Sequence, residues 1–244
     1  MTFRRPRLSA RLAAALTLAL LPLAGAVRAP AARTSVASGG VVAKPLTARA
    51  AERERVRAEV RRRLAEGGNG TYIGEMLAER DSALARWPDR RENPITVWIQ
   101  PSSSIADWTE DYVTSVRDAV TDWDALDLPV RFAFESDSAR ADIHVTFIDQ
   151  FEEAISGRTK WERDDSWWIT DADIVLAVHH RNGPALDDDA MHALALHEVG
   201  HLLGLDHTED ATSIMAARVR VRGLSNADRA TVRLLYTLPP GGVR

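Results

Sequence analysis

Apolar and polar positions follow two different rhythms along this chain, and the changes of rhythm mark its elements. From Thr47 to Leu64 the chain is mostly Ala, Arg and Glu, with Val56, Val60 and Leu64 spaced four apart as a narrow helical stripe. Gly67-Gly68-Asn69-Gly70 ends that stripe. Tyr72, Ile73, Met76, Leu77 and Leu84 predict a second amphipathic helix running up to Arg86-Trp87-Pro88. After Pro94 the period drops to two, and Ile95-Thr96-Val97-Trp98-Ile99 reads as a strand. Residues 105–126 return to helical spacing, with Val113, Val116, Ala119, Val120 and Trp123 on one face. Residues 130–134 and 143–148 predict two further strands, 161–169 a short edge strand and 174–179 a last one. A helix is predicted over 188–203, capped by Asp187 or Asp188, and Ser225 caps a final helix to Tyr236. Strand, helix, strands, helix, turn, helix implies an α+β domain with a twisted mixed sheet.

Within the 188–203 helix and just beyond it stand His197-Glu198-Val199-Gly200-His201-Leu202-Leu203-Gly204-Leu205-Asp206-His207. His197 and His201 are four apart, so both imidazoles project from one helix face, one turn above the other. Two neutral ring nitrogens so placed can share one ion at roughly 2.0–2.1 Å, the usual Zn–N distance. Glu198 is placed to meet water rather than the metal. Gly204 can end the helix by taking φ > 0 at little cost. His207 then supplies a third ligand and leaves a fourth position for water, the mark of a catalytic zinc site. The bland alternative, a core helix carrying three histidines by chance, has no use for the fixed glycine and glutamate.

This pattern, followed closely by Ser213-Ile214-Met215, resembles the metzincin metallopeptidases, in which Met215 would lie in a Met-turn forming an apolar floor under the zinc. Leu224-Ser225-Asn226-Ala227-Asp228 through Leu234-Leu235-Tyr236 is similar to the C-terminal helix of the matrixin branch, and 141–147 is similar to a matrixin strand. The resemblance covers about residues 93–237 and implies a metzincin-like zinc peptidase domain: twisted mixed β-sheet, active-site helix, Met-turn and C-terminal helix. It implies zinc-dependent endopeptidase action on protein or peptide substrates, with His197, His201 and His207 as ligands and Glu198 as general base and acid. In the family, substrate pairs with an edge strand above the cleft; the segment with Trp167 and Trp168 is the expected edge here. Matrixin loops also bind calcium, and Asp164, Asp165, Asp171 and Asp173 are the carboxylates available for it.

The departures from the family are equally specific. Ala217 stands two residues after Met215, where some metzincins carry a tyrosine ligand. The Pro-x-Tyr stretch that walls a substrate pocket in many matrixins is replaced by 216–221, in which Arg218, Arg220 and Arg222 share one face of an extended segment. There is no H-G-D or P-F-D-G stretch for a structural zinc site, and with no cysteine a cysteine latch is impossible. His144, His179, His180 and His192 read as structural or exposed, and Asp187-Asp188-Asp189 as a helix start complementing the dipole.

Composition adds compartment and partners. Arg4, Arg5, Arg7 and Arg11, the apolar run 12–23 and Ala24-Gly25-Ala26 read as an export signal over 1–26. Its removal takes away four arginines and no acid, shifting the net charge from −4 to −8, so nucleic acid is excluded as a partner. The expected product is secreted or periplasmic, without stable membrane insertion, and monomeric. Only Lys44 and Lys160 are lysines among 31 basic residues, as in a GC-rich bacterial genome. Residues 27–90 divide into a flexible linker and a helical segment, which is either a prosegment over the cleft or an arm on the back of the domain; 91–244 is the catalytic domain. Two rival functions stay open on sequence: a zinc-retaining peptide-binding module without activity, and a zinc hydrolase of a non-protein amide such as a cell-wall peptide link.

Overall fold

A computed structural model describes residues 46–80 and 83–242; the expected export signal and linker lie outside them. The elements, in chain order, are α1 (Leu46–Gly67), α2 (Ile73–Glu79), β1 (Ala83–Leu84), β2 (Arg90–Ile99), α3 (Asp111–Asp124), β3 (Val130–Phe134), β4 (Ile143–Ile148), β5 (Gly157–Arg163), β6 (Ile169–Ala177), α4 (Asp188–Leu202), α5 (Asn226–Thr237) and β7 (Gly241–Gly242). Five strands form one mixed sheet in the order β3-β2-β4-β6-β5, and β1 pairs with β7. β2 runs parallel to β3 and β4, and β4 parallel to β6; only β5 is antiparallel, at one edge. This is the α+β architecture expected, a twisted mixed sheet with helices.

Alternation places Ile95, Val97, Ile99, Ile143, Val145, Phe147, Ile174 and Leu176 on the buried side of the sheet. α3 lies beside α4: Trp123 donates its indole N–H to Leu196 O at 2.9 Å and Tyr112 its hydroxyl to Leu186 O at 2.5 Å. Both donors are buried, so each polar tip is satisfied while its ring adds to the core.

Three expectations shift. The second amphipathic helix ends at Glu79, not near Trp87. Leu84 instead sits in β1, and Leu84, Ala85 and Trp87 are inserted into the core. The helix predicted over 105–126 starts at Asp111, because Ile105–Trp108 forms a turn with Asp107 at φ 60°. The predicted edge strand 161–169 is two strands, β5 and the start of β6, separated by a turn in which the Asp164 carboxylate accepts the N–H groups of Ser166 and Trp168. α1 and α2 pack on α5: Tyr72 N–H donates to Thr231 Oγ1 at 3.1 Å, and Tyr72, Ile73 and Met76 are buried.

Candidate metal centre

α4 begins where the Asp187 carboxylate caps Ala190 N–H at 2.7 Å, with Asp188 and Asp189 in the first turn at the positive end of the helix dipole. It ends in a Schellman closure: Gly204 N–H donates to His201 O at 2.9 Å and Leu205 N–H to Gly200 O at 3.0 Å. Gly204 sits at φ +97°, and a Cβ there would meet the Ala85 carbonyl oxygen, with the Ala85 carbonyl carbon at 3.2 Å. Conformation and close approach thus both demand glycine.

That closure brings three imidazoles together. The Nε2–Nε2 separations are 3.1 Å for His197–His201, 3.2 Å for His201–His207 and 3.3 Å for His207–His197. Tetrahedral ligands at roughly 2.0–2.1 Å from one ion stand about 3.3–3.4 Å apart, so the triangle fits zinc. The chemistry of the rings agrees. His197 Nδ1 donates to Ile214 O at 2.7 Å and His201 Nδ1 to Leu205 O at 3.1 Å, which leaves both Nε2 lone pairs free. Burial pushes His197 down to about 4 and His201 down to about 3, so both rings are neutral, the form a metal needs. Among the described residues this is the group of three His, Cys, Asp or Glu side chains that could hold a metal ion.

Glu198 is buried, and burial pushes its carboxyl up to about 7 against the hydrogen bonds from Thr159. Thr159 Oγ1 lies 2.6 Å from Glu198 Oε2 and 3.0 Å from its backbone oxygen. Gly157, two residues back on the same face of β5, leaves no room for a Cβ beside that carboxylate, whose Cδ would lie 2.8 Å away. Beneath α4, Met215 is fully buried, and a Cβ at Gly200 would meet its sulfur. Asp228 holds this turn: it accepts from Ser213 Oγ, from Ile214 N–H at 3.1 Å and from Tyr72 Oη at 3.2 Å. It also completes the Ser225 capping box of α5.

Other residues singled out from sequence lie elsewhere. Trp167 and Trp168 are in the β5–β6 connection, not on the edge strand; Trp168 bridges to Arg86, whose guanidinium lies 4.6 Å from its ring centroid. Asp171 and Asp173 face Glu162 and Lys160 across β5 and β6. His144 is 3.6 Å from Asp173, His192 is 3.3 Å from Asp122, and His179 sits between Asp149 and Asp107. Arg218, Arg220 and Arg222 are exposed. Sequence reasoning missed Gly157 and Thr159. Their shared parity on a polar strand was the available signal, because i and i+2 side chains line one face.

A twisted mixed sheet with a helix that presents two histidines, a third histidine from the following turn, and a glutamate between the first two is the arrangement of a metallopeptidase. Comparison with known proteins narrows this. Residues 149–237 match the family described as Matrixin. Over 88 residues the chain is 31% identical to Metalloendoproteinase 1 of Glycine max, an alignment covering 34% of this chain and 27% of that protein. The chain thus spans about a quarter of that relative's length. Residues 149–237 are thus similar to a matrixin metallopeptidase, a family whose metal is zinc, and the three histidines present a group that could hold one.

Proposed function

We propose that this chain is a secreted zinc-dependent endopeptidase, with His197, His201 and His207 as the metal ligands and Glu198 as general base and acid. The observation that carries the reading is the convergence of three Nε2 atoms at 3.1–3.3 Å beside a glutamate held by Thr159. When bound, zinc supplies Lewis acidity, polarising the scissile carbonyl and making water acidic enough to attack near neutral pH. The Ile214 and Leu205 carbonyls fix the imidazole tautomers. Glu198 accepts the proton of the attacking water and returns it to the leaving amine. Thr159 keeps the carboxylate in one orientation while this happens. β5 is the edge of the five-stranded sheet, and its free side offers backbone N–H and C=O groups to an extended peptide. Among the described residues no helix is long and apolar enough to cross a membrane.

The test is a quenched random-peptide library incubated with the purified full chain, with and without a zinc chelator, alongside Glu198→Ala. Cleavage abolished by chelation and by the substitution, with zinc still bound to the variant, is the expected result. A wild-type protein that binds one zinc and cuts nothing would overturn the endopeptidase reading.

A further inference from the structure

The turn that carries His207 is gripped by a segment far upstream in sequence. Arg80, at the end of α2, ion-pairs with Asp206 through Nε at 2.6 Å. Its Nη1 donates to Gly204 O at 3.1 Å and its Nη2 to Leu205 O at 3.3 Å. The face of the guanidinium lies 5.3 Å from the Trp161 ring centroid on β5. Arg80 and Asp206 are largely buried, with side chains 16% and 18% exposed. Two of the groups it touches also bond to histidines. Leu205 O also accepts the Nδ1–H of His201, and Asp206 Oδ1 accepts the backbone N–H of His207 at 2.9 Å. Arg80 therefore bonds to the acceptor of the His201 imidazole and to the residue that holds the His207 backbone.

Neighbouring residues grip the same stretch. Trp87 donates its indole N–H to Leu202 O at 2.8 Å, and the Ala85 carbonyl fills the space a side chain at 204 would need. On the far side of His207, Glu75 Oε2 accepts the N–H of Glu209 at 2.9 Å. Helix α4 leaves carbonyls unpaired at its C-terminal end, and a planar guanidinium meets two carbonyls and a carboxylate with donors fixed in one plane, a geometry an ammonium does not offer.

We infer that Arg80 is a positioning residue for the metal site: the segment 75–87 is a built-in clamp that holds the His201–His207 turn ready for zinc. This rests on the zinc reading above. It makes the segment part of the working domain rather than a removable cover.

The full chain is prepared as wild type, Arg80→Gln, Arg80→Lys and, as a control, Arg90→Gln. The control breaks a partly buried pair with Asp142 elsewhere in the sheet, where β2 meets β4. Zinc affinity is measured by competition with a chromophoric chelator, and the ligand field by the visible spectrum after cobalt(II) loading. Outer partners of metal ligands typically control affinity by about 10–100-fold, so Arg80→Gln should bind zinc about tenfold more weakly, with an altered cobalt spectrum. Arg80→Lys should fall between it and wild type. Arg90→Gln should keep both wild-type values. Wild-type affinity and spectrum in Arg80→Gln would overturn the clamp, as would an equal loss in Arg90→Gln. If the wild type itself bound no zinc, the metallopeptidase reading would fall with it; if only the Arg80 variants behaved unexpectedly, the clamp alone would.

Discussion

Gly157→Ala should separate activity from folding. The backbone at Gly157 is outside the left-handed region, so alanine is conformationally allowed there. Its ladder position opposite Leu176 on β6 fixes where the new methyl must point. The methyl would stand 2.8 Å from Glu198 Cδ and 2.9 Å from Cγ, and nearer still to Oε1. Ordinary carbon–carbon contact begins at about 3.5 Å, so the carboxylate has to retreat by about 0.7 Å and stretch its 2.6 Å bond to Thr159. A misplacement of about 1 Å at a reacting group can cost on the order of a hundredfold in rate, about 2.7 kcal/mol of barrier. Glu198 is a flexible side chain, so folding survives; glycine-to-alanine in a compatible backbone adds about 0.4–1 kcal/mol of stability. The assay is kcat and KM on one quenched peptide, with zinc content and urea unfolding measured on the same sample. Reduced kcat, unchanged zinc and unchanged or raised stability are expected. A kcat within threefold of wild type would refute the idea that β5 sets the position of Glu198.

Two further predictions concern the frame. Asp228→Ala should cost about 3 kcal/mol or more, because it strands the Ser213, Ile214 and Tyr72 donors in the core; chemical denaturation would expose a smaller loss. His179 has its pKa raised, first by the Asp107 carboxylate and then by Asp149, against desolvation. Its contribution to stability is therefore fully present below about pH 6.5, the unperturbed value, and is lost as pH rises through the raised folded value. In the metal-free protein, the unfolding free energy of wild type minus that of His179→Gln should be larger at acidic than at alkaline pH, and a pH-independent difference would contradict this.

The centre of the site was legible because its chemistry imposes spacing. Two histidines must be one helical turn apart, and a glycine must let the chain turn back. β4 was legible because it runs at period two with one buried face. β5 was misread because Arg158, Lys160 and Glu162 alternate with Gly157, Thr159 and Trp161, and neither parity is apolar enough to announce a face. The helix expected through Leu84 fails for a tertiary reason: Ala83 and Leu84 pair with β7, and Leu84, Ala85 and Trp87 are drawn into the core, which outweighs helical spacing. Arg80 carries no local signal at all. Its hydrogen-bond partners lie more than 120 positions along the chain, and nothing in the periodicity of α2 points to them.

β5 combines two jobs that many proteins keep apart. On the proposed reading its free edge is where an extended peptide would lie down, while its inner face, through Gly157 and Thr159, packs against the Glu198 carboxylate. A substrate that zips along more of this strand also stiffens the strand under Glu198. Added length that steadies Glu198 should then be expressed in kcat, whereas backbone contacts made equally in the bound substrate would lower KM alone. Selectivity for chain length would thus be read out at the carboxylate, through a strand that never touches the metal ligands.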